Sequence, residues 1–223
     1  MTDQEAAGLA RHDLLRVDPE AWAACLAVRR DLDNVPHLAD WARVGWPVIV
    51  RRRDHGESSD GIPVGLPLPP SAGKRRIGFT LSPAAVSRHP PVTLEQARET
   101  APPAWRPSLE ALLALGSEHG SVPRVFGSLL WQALTDLPYL GPGSDLDLLW
   151  LATGRVDRPF LQSLARIEAG ATMRIDGDIL LPDGTGINWR ELLDAPADGT
   201  ILCKARESLT LRPAGHFLSE ASS

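Results

Sequence analysis

The sequence predicts an α/β (α+β) protein, with a mixed sheet and flanking helices in its second half and a smaller α+β domain before it. Three observations predict this. From Val122 onward, short β-rich runs alternate with helical patterns, whereas the first half is broken by Gly, Pro and Ser. Hydrophobic residues make up 43% of the 223, enough for a real core. Charge is divided unevenly: Met1 to Gly116 holds 14 basic and 14 acidic side chains, and Ser117 to Ser223 holds 9 and 14, so the whole excess of −5 lies in the second half. The boundary is expected within Ala114 to Ser121, giving domains 1–115 and 116–223.

Asp18 to Arg30 (DPEAWAACLAVRR) reads as a helix, with Asp18 suited to the N-cap, Pro19 to the first turn, and Trp22, Leu26 and Arg29 at helical spacing. A second short helix is expected over Leu38 to Val44, ended by Gly45. Trp46 to Arg53 reads as a strand running out into charge. Asp54 to Gly73 is too rich in Gly, Pro and Ser to be regular. Lys74 to Leu81 then reads as a partner strand, followed by helices over Thr93 to Thr100 and Pro107 to Gly116.

The second half reads as strand Val122 to Phe126, helix Ser128 to Leu137 and strand Asp145 to Leu151. Next come helix Asp157 to Ala169, with Phe160, Leu161, Leu164 and Ile167 on one side, and strand Thr172 to Leu181. Trp189 to Leu193 is a short helix, Ile201 to Leu211 a hairpin, and Ser219 to Ser223 a frayed tail.

Several function classes are disfavoured. The acidic balance argues against nucleic-acid binding. No stretch approaches the roughly 20 apolar residues a membrane span needs. MTDQEAAGLARHD lacks the apolar run of a secretory signal, and Cys25 and Cys203 are far apart in apolar segments. The expected location is therefore the reducing cytoplasm. The 6 histidines are scattered without metal spacing, and no Ser-His-Asp or Cys-nucleophile arrangement emerges.

The chemistry gathers in Gly127 to Trp150 (GSLLWQALTDLPYLGPGSDLDLLW). Asp145 and Asp147 sit one residue apart in an otherwise apolar strand, so they project to one side, roughly 7 Å apart at Cα. Two carboxylates facing one space repel, and a cation resolves the conflict. Mg²⁺, or Mn²⁺ in its place, takes oxygen ligands and often uses one or two carboxylates with substrate phosphates. The plainer reading is a pair of solvated strand-end acids. Upstream, Gly127-Ser128 closes a strand and opens a helix, whose exposed N–H groups and dipole suit a phosphate. The Ser128 hydroxyl is placed to cap the helix or to donate to phosphate.

Strand, Gly-Ser, helix and Asp-x-Asp resembles the signature of the DNA polymerase β-like nucleotidyltransferase superfamily. The sixteen residues between Ser128 and Asp145 exceed the usual spacing, and Leu137 to Gly143 is expected as a longer loop. A closer resemblance runs through nearly the whole chain. It is carried by Arg11-His12-Asp13-Leu14-Leu15, Gly45-Trp46-Pro47 with Arg51-Arg52-Arg53, and Gly65-Leu66-Pro67-Leu68-Pro69-Pro70 with Gly73-Lys74-Arg75-Arg76. Trp105-Arg106-Pro107, Leu181-Pro182-Asp183-Gly184 and Trp189-Arg190-Glu191-Leu192 complete it.

The series resembles the malonate decarboxylase holo-acyl-carrier-protein synthases, or phosphoribosyl-dephospho-CoA transferases. That resemblance implies transfer of a 2′-(5″-phosphoribosyl)-3′-dephospho-CoA unit from its triphosphate precursor. The acceptor implied is a serine of the apo acyl carrier subunit, with diphosphate leaving. It implies a nucleotidyltransferase-like mixed sheet, and it makes Asp145 and Asp147 the catalytic, metal-binding aspartates. The first domain would contact substrate and carrier.

A third carboxylate is expected on a neighbouring strand. In Met173 to Leu181 (MRIDGDILL), Asp176 and Asp178 share one face, and Asp176 is preferred; Asp176-Gly177 also reads as a plain hairpin turn. Lys74, Arg75 and Arg76 follow a glycine, as suits a loop over an anion, and guanidinium forks match phosphate oxygens. A solvated charged face, or docking of the carrier, would use the same residues. The Arg51 to Arg53 triplet is a weaker candidate, and Trp131 is expected to pack rather than stack on adenine. Two rival functions stay open: another nucleotidyltransferase modifying a protein or small molecule, and a non-catalytic carrier-binding module.

Overall fold

In the computed structural model of the chain, residues 1–196 and 198–219 are described; of the expected tail, Glu220 onward lies outside them. The chain forms two compact units that divide at Pro91 and Val92.

In the first unit, helix α1 (Asp3–Ala7) precedes strand β1 (Leu14–Val17) and helix α2 (Pro19–Ala27). Asp18 caps α2 as expected, its carboxylate accepting from Glu20 and Ala21 N–H at 3.1 and 2.9 Å. Strands β2 (Val48–Val50), β3 (Ile62–Pro67), β4 (Arg76–Leu81) and β5 (Val86–His89) complete an antiparallel sheet in the order β4-β3-β2-β1-β5. Its apolar face and α2 enclose Leu15, Trp22, Val48, Val64 and Phe79.

Two expectations fail here. Leu38 to Val44 is a run of turns, with left-handed backbone at Asn34 and His37 just before it. Leu38 and Trp41 are buried, but tertiary bonds hold them instead of a helix: Leu38 O accepts from Trp22 Nε1 at 2.8 Å, and Trp41 Nε1 donates to Pro47 O at 2.9 Å. The Pro-rich stretch contains an interior strand, β3. Pro63 sits where β2 ends: its carbonyl still accepts from Arg51 N–H at 3.0 Å, so the proline removes only one reciprocal ladder bond there.

The second unit begins with α3 (Leu94–Ala97), capped by a reciprocal Thr93–Gln96 pair, and α4 (Arg106–Glu118). Then follow β6 (Arg124–Phe126), α5 (Gly127–Thr135), β7 (Leu146–Leu151), α6 (Arg158–Ala169) and β8 (Ile175–Leu180). Strand β9 (Gly186–Asn188), helix α7 (Trp189–Asp194) and the hairpin β10 (Thr200–Lys204) and β11 (Leu209–Pro213) close the order. The sheet runs β11-β10-β9-β8-β7-β6 and is mixed: β7 and β8 are parallel, and their neighbours pair antiparallel. Parallel strands need a crossover, which α6 supplies, burying Phe160, Leu161 and Leu164.

Helix α4 packs against α6 and α3, so the residues before Ala114 belong to the second unit. The division therefore falls earlier than the Ala114 to Ser121 read from the sequence. Pro102 and Pro103, between α3 and α4, lie inside this unit.

Candidate functional site

The register of β6, β7 and β8 assembles the site. Phe126 pairs with Asp147 on one side, and Asp147 pairs with Asp176 on the other. Directly paired residues share a face, and strand alternation adds Asp145 to it, so Asp145, Asp147 and Asp176 converge on one mouth of the parallel pair. Burial of Leu146, Leu148, Leu149 and Trp150 fixes the strand, leaving Asp145 and Asp147 half-buried at its start.

Gly127 follows Phe126 and opens α5. Its φ of +65° lies in the left-handed region, and a Cβ there would stand 1.9 Å from Asp147 Oδ2. The helix start and the second aspartate are thus in direct contact. Ser128 is the second residue of α5, and no side chain caps that helix, so capping, one of the two roles open to its hydroxyl, is not used. The α5–β7 loop spans residues 136–145 and turns through left-handed Asp136.

Asp176 and Gly177 lie inside β8, not at a turn. Gly177 has a φ of +146° and approaches the Leu148 carbonyl so closely that a Cβ would stand 1.9 Å from it. The β8–β9 turn falls instead at Leu181-Pro182-Asp183-Gly184, where Gly184 N–H donates to Leu181 O at 2.9 Å and Gly184 is left-handed.

Asp176 is tightly held. Its Oδ1 accepts from Gly177 N–H at 2.8 Å and from Asn188 Nδ2 at 2.9 Å. Burial pushes this carboxyl upward, but those hydrogen bonds and the Arg174 and Arg190 charges outweigh it and hold it below the ordinary carboxylate range. Asn188 does two jobs, since its Oδ1 also caps α7 by accepting from Arg190 and Glu191 N–H. Two residues on, Asp178 is 5% exposed and paired with Lys204 at 3.1 Å. Asp178 is therefore committed to a buried ion pair, while Asp176 faces the site.

Arg174 and Asn188 were not legible as site residues. Arg174 stands just before β8, with its guanidinium 3.2 Å from Asp176 Oδ2 and 3.7 Å from Asp145 Oδ2. Its spacing of two from Asp176 was the available signal. Arg190 serves the frame: it pairs bidentately with Glu168 of α6, donates to Ile175 O at 2.9 Å and lies over the Trp189 ring at 4.4 Å.

Among the described residues, no group of three or more His, Cys, Asp or Glu side chains is set to hold a metal by itself. The donors do fit a hard divalent ion that keeps water or phosphate as its remaining ligands, since Asp145 and Asp147 offer carboxylate oxygens at an open strand mouth. The guanidinium against Asp145 shows that this mouth accepts positive charge.

The basic candidates lie on the first unit. Gly73 and Lys74 are both left-handed, Arg76 opens β4, and Lys74, Arg75 and Arg76 are exposed. Arg51 to Arg53 do not alternate along a strand, because β2 stops at Val50. Arg51 binds Glu57, Asp54 and the Val64 carbonyl, and Arg53 binds the Ser58 and Gly61 carbonyls. Both clasp the loop before β3. Trp131 is 2% exposed and packs as expected. No helix among the described residues is long and apolar enough to cross a membrane.

Comparison with known proteins agrees with this division. Residues 10–91 match the N-terminal domain of the phosphoribosyl-dephospho-CoA transferase MdcG family, and residues 93–214 match its C-terminal domain. The two matches meet at the junction of the two units. The phosphoribosyl-dephospho-CoA transferase of Bradyrhizobium diazoefficiens is 41% identical over 216 residues, covering 95% of this chain and 93% of its own. Those of Xanthomonas euvesicatoria pv. vesicatoria (39% identical, 80% of this chain and 84% of its own) and Xanthomonas campestris pv. campestris (41%, 70% and 74%) are also similar. No solved structure matches the chain. With both domains matched in order and a relative at 41% identity along nearly its whole length, the chain belongs to the phosphoribosyl-dephospho-CoA transferase MdcG family.

Proposed function

We propose that this protein transfers the 2′-(5″-phosphoribosyl)-3′-dephospho-CoA group from its triphosphate precursor to a serine of the apo acyl carrier subunit of malonate decarboxylase, in the cytoplasm. Its membership of a transferase family supports the class of reaction. The observation that carries the site is the convergence of Asp145, Asp147 and Asp176 beside Gly127, at the start of α5.

In the reaction, a bond forms between the serine oxygen and the α-phosphorus as the bond from that phosphorus to the β-phosphate bridging oxygen breaks. Diphosphate leaves with the electron pair. The serine proton passes to the outer oxygen of Asp176, which is ionised at neutral pH, and then to solvent. Gly127 and Ser128 present α5 N–H groups to the donor phosphates. Asp145 and Asp147 would hold Mg²⁺ or Mn²⁺, which supplies Lewis-acid polarisation of the phosphoryl oxygens when bound. Lys74, Arg75 and Arg76 are proposed as anion-binding residues of the first unit. Catalysis rests on positioning and charge stabilisation.

The test is the mass of apo carrier after incubation with enzyme and donor. Addition of the whole prosthetic group from the precursor, lost with a chelator, is expected. Modification by ATP alone would point to another nucleotidyltransferase, and no modification with any donor would leave only an escort.

A further inference from the structure

The aspartate mouth holds a cation of its own. Arg174 reaches the outer oxygens of Asp145 and Asp176, at 3.7 and 3.2 Å. Its backbone does not move with its side chain, because the Arg174 carbonyl accepts the Leu146 N–H at 2.9 Å and is pinned in the β7–β8 ladder. The side chain itself is 57% exposed. Asp176 Oδ1 is occupied by Gly177 and Asn188, so Arg174 engages only the oxygen that faces the site.

We propose that Arg174 is a substrate-binding residue that exchanges partners: it neutralises Asp145 and Asp176 before substrate arrives, and turns to the donor's phosphates when a divalent cation takes its place on Asp145. This rests on the metal-dependent transfer reading above.

Four arguments support it. A guanidinium and a divalent cation cannot share one face of Asp145 without repulsion, so one displaces the other. The exposed pairing costs little to break, because surface ion pairs are weak. Arg174 is anchored by its backbone immediately before the strand that carries Asp176, so the freed guanidinium stays at the mouth where the phosphates dock. A planar fork binds phosphate in two places at once, which an ammonium cannot do.

Paramagnetic resonance with Mn²⁺ alone, and then with inorganic tripolyphosphate added, tests this without turnover. Arg174→Gln should bind Mn²⁺ about threefold more tightly than the wild type, since a competing cation is gone. The same variant should bind tripolyphosphate with Mn²⁺ about tenfold more weakly. Arg174→Lys should restore the Mn²⁺ affinity but not that for tripolyphosphate. Asp145→Asn should lose Mn²⁺ binding. If Asp145→Asn does so while Arg174→Gln changes neither affinity, or weakens Mn²⁺ binding, the exchange is wrong and the metal reading stands. If the wild type binds no Mn²⁺, the metal reading fails and takes the exchange with it.

Discussion

The carboxylate of Asp147 lies directly against Gly127, where a Cβ would stand 1.9 Å from Oδ2. The first residue of α5 and the second aspartate therefore cannot be altered independently. Gly127→Ala must distort the left-handed backbone and push Asp147 aside. It should cost about 2 kcal/mol of stability and most of the transfer activity. Thermal unfolding and carrier modification, measured on one preparation, check both.

Asp145→Asn should behave differently. The amide keeps the shape of the carboxylate and gives up only the exposed 3.7 Å pairing with Arg174, so the melting temperature should change little. Transfer should drop by about a hundredfold or more, because the lost charge is needed for the reaction and not for folding. Wild-type rates in this variant would remove Asp145 from the mechanism.

Asp176 and Asp178 should separate in the same assay. Asp178→Asn leaves Lys204 without its counter-charge and should destabilise by about 2 kcal/mol, with turnover per folded molecule preserved. Asp176→Asn should lose turnover. Equal kinetic loss in both variants would contradict the division of roles drawn from their partners.

Gly177→Ala should be the most destabilising of these changes. Its clash is with the Leu148 carbonyl, which belongs to the ladder and cannot swing away as a side chain can. A loss of at least about 3 kcal/mol is expected, read as a lowered denaturant midpoint.

The first unit has an acid-labile clasp. Hydrogen bonding from Arg51 holds the Glu57 carboxyl down at about 2, against 4.5 ordinarily. A lowered folded-state pKa contributes stability that is present above 4.5 and lost as the pH falls towards 2. Glu57→Gln should therefore be less stable than the wild type at pH 7 by about 1 kcal/mol. The two should converge as the pH approaches 2. A gap that persists at low pH would mean the clasp acts by packing.

Much of the second unit was legible because its signals are local. Apolar runs gave β6, β7 and β8, and the spacing in Phe160, Leu161 and Leu164 gave α6. The acids were legible because charge in an apolar strand needs a reason. What escaped depends on partners that local spacing does not reveal. Pro63 and Pro67 argue against a strand until β2 proves too short to lie opposite either of them, its ladder partners being Val64 and Gly65. Asp176-Gly177 looks like a turn until the Leu148 carbonyl is seen against Gly177. Arg51 looks available to an anion until Glu57 is found on it.

The parallel pairing of β7 and β8 also sets an order of events during folding. Asp147 and Asp176 meet only after the chain has run out along one strand, back through α6, and begun the next. Closing so long an excursion is slow compared with forming a hairpin. The pairing of Asp147 with Asp176 is thus completed by the same step that seats the crossover helix, and any opening that unseats α6 takes the two acids apart.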